Sequence, residues 1–434
     1  MSSAWQVLSL FMLTAMSFVS CKKKSVESAN APLVIVGASA AGVAAVKDLL
    51  ERNYSGEVVW IADQHEDPYS KTKIPYLLEG SKTLDEISIF DMKSLPSNVT
   101  PMFGKRVVQI KPDEHVIELN DGQSISYQRL LIAIGLQYQI PSAFAAQKIN
   151  GIFMFGRASD IQAIEAYLQE HEVKNAVVVG FGLTGADTID GLVQRGIKVG
   201  IVQRSKRLLD RYVNDEAEKI IRDDLDENGV QIHAPSTIKS IISDTDGYVQ
   251  SIVLSNGNQL ACDMIIFTTG LVLQEKLLSD AGIKIQDDGI VVNQSMQTSN
   301  PDIFAAGDCA LITDLVTGKL RRSAKWPEAE AQGAVAAQNM CGANAIYKGS
   351  PFIFGVRFLD TLAMSCGPIG QSDSENFQKV IKRTDKSYSL LLLEKNILKG
   401  FLLVNPKDRG IVQKLRQLIE DHTVVTVKEL EDLL

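Results

Sequence analysis

Runs of four or five apolar residues, a turn of small residues, and then apolar positions spaced three and four apart open the main part of this chain, and the same pattern returns once. It appears first as Leu33–Val36, the turn Gly37-Ala38-Ser39-Ala40-Ala41-Gly42, a helical pattern over 42–51 and a second apolar run, Val58–Ala62. It returns as 176–179, the turn Gly180-Phe181-Gly182-Leu183-Thr184-Gly185, a second helical pattern and the run 199–202. Unbroken apolar runs joined through helices predict parallel strands buried on both faces, the βαβ arrangement. Between 107 and 134 the pattern changes to short alternating strands, 107–110, 115–119 and 130–134, with a turn at Asn120-Asp121-Gly122. That predicts a β-meander inserted in the first unit, and Ser255-Asn256-Gly257 marks the turn of a similar one in the second. Residues 326–339 read as a helix. From 352 onward, alternating strands such as 389–394 and 400–404 lead to a charged helix near 408–420. The predicted class is α/β: two Rossmann-like three-layer domains with inserted β-meanders, plus a small α+β C-terminal domain.

Composition narrows this picture only modestly. At 434 residues the chain is long for a single core. With 45% hydrophobic and 22% charged residues it has the make-up of a globular protein, and a net charge of -8 argues against a nucleic-acid binder, which needs a basic face. The five cysteines, Cys21, Cys262, Cys309, Cys341 and Cys366, contain no Cys-x-x-Cys pair, so neither a metal signature nor a local redox dithiol is expected. Residues 7–19 form an apolar stretch too short to span a bilayer but long enough for a signal core. Cys21, after Phe18-Val19-Ser20, resembles a bacterial lipoprotein cleavage site. No positive charge precedes the stretch, and Lys22, Lys23 and Lys24 follow it, which favours retention on the cytoplasmic side. The expectation is a cytoplasmic protein, with weak membrane association through 7–20 or a lipoprotein anchor at Cys21 as the alternative.

Each glycine turn joins a strand to a helix start, the geometry that seats a pyrophosphate on backbone N–H groups. Gly37 permits the tight bend and Gly42 the close approach of helix and strand, while Ser39 replaces the middle glycine. Asp63 ends the second strand near where a ribose-binding acid is expected, with Glu66 as the competing candidate. After the second turn, the corresponding strand ends in Gln203-Arg204-Ser205-Lys206-Arg207. Gln203 carries no charge to repel a 2′-phosphate, and Arg204, Lys206 and Arg207 could neutralise one, which tilts the reading toward NADPH or dual use. Asp187, in the first turns of the second helix, points toward the nicotinamide side.

With these residues in view, the chain resembles the FAD-dependent pyridine nucleotide–disulfide oxidoreductases, and most of all the branch of rubredoxin reductases and nitrite-reductase flavin subunits. The most specific match is Thr298-Ser-Asn-Pro301-Asp-Ile-Phe-Ala-Ala-Gly307-Asp308, whose aspartate in the family binds the FAD ribityl chain. Leu130-Leu-Ile-Ala133-Ile134-Gly135 matches the strand end beside FAD, and Tyr69-Ser70-Lys71 the segment beside the flavin, with Lys71 standing for an arginine. Lys325-Trp326-Pro327 is similar to the family's Trp-Pro segment. The resemblance implies FAD and either NADH or NADPH as cofactors, held by Gly37, Ser39, Ala40, Ala41, Gly42, Asp63, Lys71, Val108, Ala133, Gly135, Gly180, Gly182, Leu183, Thr184, Gly185, Gln203, Arg204, Gly270, Gly307 and Asp308, with Lys71 and Asp187 as the catalytic pair. It implies an N-terminal segment and linker over 1–31, an FAD domain split between 32–150 and 271–345, an NAD(P)H domain over 151–270, and a C-terminal domain over 346–434. Members that reduce disulfides carry a reactive cysteine just after the first unit, where this chain reads Tyr69-Ser-Lys-Thr-Lys-Ile-Pro75. Electrons are therefore expected to leave for an external acceptor: a rubredoxin-like carrier, or a small molecule. A basic cluster, Lys319, Arg321, Arg322 and Lys325, is the expected docking patch for an acidic carrier. An oxidase, a non-catalytic FAD-bound binding protein and a homodimer stay open.

Overall fold

The structure, a computed structural model, describes residues 31–434. The expectations placed on 7–20 and on Cys21 lie outside the described residues. No helix among the described residues is long and apolar enough to cross a membrane.

The two βαβ patterns build two five-stranded parallel sheets. In the first, the spatial order is Ile303–Ala305, Arg129–Ile132, Leu33–Val36, Val58–Ala62 and Val99–Phe103. The Leu33–Val36 strand is buried along its whole length, as its unbroken apolar run requires. The second sheet runs Gln231–His233, Lys198–Val202, Asn175–Val179, Met264–Phe267 and Ile152–Met154. Three-stranded antiparallel meanders follow, Val107–Lys111 with Val116–Leu119 and Ser124–Ser126, and Ile238–Ser243 with Val249–Leu254 and Gln259–Ala261; in the first, the expected third strand at 130–134 belongs instead to the parallel sheet, and Ser124–Ser126 takes its place.

Helix Ala40–Glu51, on the first sheet, packs along helix Trp326–Met340. The backbones touch: a Cβ on Gly333 would sit 2.0 Å from the Ala41 carbonyl oxygen. Arg129 donates to the carbonyls of Asn339 (2.6 Å) and Met340 (2.8 Å), satisfying the open carbonyl end of that helix with a cation.

From 354 the chain forms an antiparallel five-stranded sheet, Phe354–Phe358, Thr361–Cys366, Ile397–Val404, Tyr388–Glu394 and Gln378–Arg383 in spatial order. One face is covered by the terminal helices Ile411–Glu420 and Val427–Leu433. Its other face joins the core of the second parallel sheet: Phe358 packs edge-on to Phe181 at 5.2 Å and Phe354 stacks on Tyr212 at 3.9 Å. The second glycine turn, through Phe181, therefore leans on this sheet.

Candidate cofactor cleft

A cleft opens at the carboxyl ends of the first sheet, the position where α/β sheets bind their ligands. Its lining includes Gly37, Ser39, Asp63, Glu66, Tyr69, Lys71, Val107, Ala133 and Arg157. Gly37 has φ +125, and a Cβ on it would sit 2.1 Å from the Ala133 carbonyl oxygen; one on Gly42 would sit 1.9 Å from the Gly37 oxygen. Only glycine fits either position. The turn is held by Gly37 N donating to Ile61 O (2.7 Å) and the Trp60 indole donating to Gly37 O (2.9 Å). Ser39 is the N-cap of helix Ala40–Glu51, yet its side chain makes no cap hydrogen bond. The first amides of that helix are left for an anion, so this cradle fits a pyrophosphate. Ala40 and Ala41 are buried in the first turn of the helix.

Charge collects at the other end of the cleft. Lys71, at the start of a single 3-10 turn, faces the cleft cavity. Lys71 is exposed to solvent within the open cleft, yet loss of solvation there, and then Arg157, pull its ammonium pKa below the usual lysine range, against Asp308, Asp63 and Asp160. Asp308 is shifted the other way by its own burial, opposed by Lys71, Arg322 and Lys325. Lys325 titrates at about 8, lowered by burial against the pull of Asp308. Gly307, φ +83, sets the Asp308 turn, and its N–H donates to the Gln332 side-chain oxygen at 2.8 Å. Asp63 accepts both Arg157 guanidinium N–H groups at 3.0 Å. Both Asp63 and Glu66 line the cleft, with Asp63 already neutralised by a cation.

At the second turn, Gly180 has φ +103 and Gly185 would place a Cβ 2.2 Å from the Gly180 oxygen, repeating the first turn's geometry. Gly182 is the N-cap of helix Leu183–Gln194 and, like Ser39, provides no side-chain cap. Thr268 Oγ1 lies 3.0 Å from the carbonyls of Val179 and Gly180. Gly135 (φ +60) and Gly270 (φ +87) end equivalent strands in the two halves. The Gln203 carboxamide is used inside the turn: its oxygen accepts from Phe181 N–H at 3.2 Å and its nitrogen donates to Ser205 Oγ at 2.8 Å. Arg204 and Lys206 are exposed, whereas Arg207 is paired with Asp215 at 2.7 Å. The Asp187 carboxyl is pushed up to about 7, by burial first and then by Asp190 and Glu79.

Two expectations need correction. Val107, not Val108, turns into the cleft: the register slips between Val107 and Gln109, and the Val108 side chain is 47% exposed. The basic docking patch is only partly exposed. Arg321 lies 3.8 Å over the Phe352 ring and 3.6 Å from buried Asp314, Arg322 is half-buried, and Lys325 is enclosed near Asp308. Of the four, only Lys319 extends freely into solvent.

Sequence reasoning did not find Arg157, Asp160 or Gln332. Arg157 precedes helix Ala158–Glu170, its backbone N–H donates to Asp160 at 2.9 Å, and the Tyr69 hydroxyl accepts from Ala158 N–H at 3.1 Å. None of the three belongs to a glycine-rich signature.

The profile of one family, described as pyridine nucleotide-disulphide oxidoreductase, matches residues 31–333. An NADH oxidase of Methanocaldococcus jannaschii is 29% identical over 319 residues, covering 72% of this chain and 70% of the relative. The 3-phenylpropionate/cinnamic acid dioxygenase ferredoxin–NAD(+) reductase component of Photorhabdus laumondii is 26% identical, covering 87% of this chain and 93% of its own. A rubredoxin-NAD(+) reductase of Pseudomonas putida is also 26% identical, covering 71% and 80%. Among solved structures, putidaredoxin reductase in its covalent complex with putidaredoxin superposes with a TM-score of 0.83 over 93% of this chain and 96% of that one, at 23% identity. That likeness concerns the fold.

Proposed function

Because this chain belongs to the pyridine nucleotide-disulphide oxidoreductase family, we propose that it oxidises NAD(P)H through FAD and passes the electrons to an external iron–sulfur carrier such as rubredoxin, with no redox-active disulfide. The chain is an oxidoreductase, and its cofactors are FAD and NADH or NADPH. When bound, the flavin accepts a hydride from the nicotinamide and can release electrons singly. We assign 32–150 and 271–345 to FAD, 151–270 to the dinucleotide, and the cofactor contacts to the glycine turns with Asp308, Lys71 and Arg157.

The observation that carries the reading is the lack of a usable thiol at the cleft among the described residues. Cys309 is fully buried, its Sγ donates to the carbonyls of Ile132 (3.5 Å) and Ala306 (3.4 Å), and burial pushes its pKa up to about 12. A thiol held protonated in that way is no nucleophile. Cys262 and Cys366 are likewise buried and raised to about 12, and Cys341 lies just beyond helix Trp326–Met340, away from the cleft. The names of the ferredoxin and rubredoxin reductases support a protein acceptor. The NADH oxidase relative keeps oxygen as a second destination.

For the nicotinamide partner we propose NADPH or dual use. Arg204 and Lys206 are free to meet a 2′-phosphate, and Gln203 is committed to the turn. The test is turnover of the FAD-loaded protein with NADPH and NADH, comparing ferredoxin or rubredoxin with dissolved oxygen. Faster reduction of a protein carrier supports the proposal; equal consumption with oxygen alone makes the chain an oxidase, and no flavin reduction at all makes it a binding protein.

A further inference from the structure

Glu328 and Gln332 stand one turn apart near the start of helix Trp326–Met340, and each holds a different part of the molecule. Gln332 is fully buried, and its side-chain oxygen accepts the Gly307 N–H at 2.8 Å, beside Asp308. Its nitrogen is buried without a hydrogen-bond partner, yet it lies close enough to the Tyr347 hydroxyl to oppose the rise in that group's pKa. The rise itself comes from burial first and then from Glu328, so Tyr347 keeps its proton. The hydroxyl donates that proton to one oxygen of the Glu328 carboxylate. The other oxygen accepts from Ser350 Oγ at 2.6 Å and lies 3.6 Å from Arg416 of helix Ile411–Glu420.

A carboxamide has an oxygen end and a nitrogen end of nearly the same shape, so a buried glutamine needs something to set which way it faces. A phenol has a single proton. With that proton drawn to Glu328, Tyr347 turns only lone pairs toward Gln332, which suits the amide nitrogen and leaves the oxygen for Gly307. We propose that Glu328 and Tyr347 are positioning residues for the cofactor turn: the carboxylate draws the phenol proton, the phenol orients the Gln332 carboxamide, and the carboxamide holds the Gly307–Asp308 turn against which FAD binds. This rests on the assignment of Asp308 to FAD given above. Arg416 shares the same carboxylate, so the relay joins the C-terminal domain to the cofactor turn. With the phenol proton aimed at Gln332 instead, the amide would turn over and set its NH2 against the Gly307 N–H, two donors without an acceptor.

The FAD-loaded protein tests this through the rate at which flavin fluorescence appears on release of FAD, with amide exchange at Gly307 measured on the same samples. Glu328→Gln offers the tyrosine oxygen a donor and frees its proton to turn. It should speed FAD release roughly five- to twentyfold, the cost of one buried N–H left without an acceptor, and speed exchange at Gly307. Combining Glu328→Gln with Gln332→Glu should restore both to within about twofold, because a carboxylate at 332 presents an oxygen to Gly307 whichever way it turns. A merely structural role gives no such rescue, since the swap still leaves Arg416 and Ser350 facing an uncharged amide. Wild-type release in Glu328→Gln overturns the relay, as does fast release in both the single variant and the swap. Tyr347→Phe keeps the ring and should speed release by a similar factor; unchanged release there overturns the relay even if the swap does not fold. Asp308→Asn separates the two claims. Wild-type FAD retention in that variant overturns the Asp308 assignment and the relay with it, whereas loosened FAD there without an effect of Glu328→Gln removes the relay alone.

Discussion

Asp187 shows how much one carboxyl can report about a site. Its pKa of about 7 means that it is neutral in mild acid and ionised in mild base. An oxidised nicotinamide ring carries a positive charge that a reduced one lacks, so ionised Asp187 favours the oxidised form. The affinity ratio of NADP+ to NADPH should therefore rise between pH 6 and 8, and Asp187→Asn should flatten it; the same slope in both proteins would contradict the assignment. The sign for stability is opposite. A carboxyl with a raised folded-state pKa favours folding at low pH, and that contribution is lost as pH rises through about 7. Gln203 and Arg204 make a second prediction at this scale. Gln203→Glu keeps the oxygen that accepts from Phe181 N–H but brings a negative charge, and should move preference toward NADH. Arg204→Ala should weaken NADPH about tenfold, as expected for one charge-assisted hydrogen bond, with little effect on NADH, read from steady-state kcat/KM for each.

At the scale of elements, the cradle depends on the approach of helices Ala40–Glu51 and Trp326–Met340. A methyl on Gly333 would meet a backbone carbonyl, which cannot move aside as a flexible side chain can. Gly333→Ala should cost about 1–3 kcal/mol in denaturant unfolding and loosen FAD retention, because Gln332 beside it holds the Gly307 N–H. Unaltered stability and FAD retention would show that the helices can part freely. The elements themselves were legible in the sequence wherever backbone geometry dictates residue type. Gly37, Gly42 and Gly185 are glycines because a Cβ would strike a carbonyl at each, and Gly180 because of its φ of +103 and the Thr269 side chain beside it, so the turns could be read as turns. Gln332 and Arg157 were not legible. Each meets its partner across a long stretch of chain, and nothing in local periodicity records such contacts.

In the whole molecule the crossover strands at Tyr138 and Leu271 pair with each other, and the antiparallel C-terminal sheet buttresses the second glycine turn through Phe358 and Phe181. The predicted basic patch is divided at this scale, with Lys319 and Arg321 exposed and Arg322 and Lys325 partly buried. Its arginines looked solvated in sequence, but folding turns them onto Phe352, Asp314 and the surroundings of Asp308. Charge reversal at Arg321 would thus break an internal pair and could not report on docking alone, whereas Lys319 can be changed without that penalty. What most needs testing is that electrons pass through flavin and nothing else on the chain. Anaerobic titration of the FAD-loaded protein with NADPH or NADH measures this directly. Full bleaching of the flavin at one equivalent of nucleotide per FAD is the expected result; uptake of two equivalents would reveal a redox disulfide and contradict the account, as would a flavin that does not bleach.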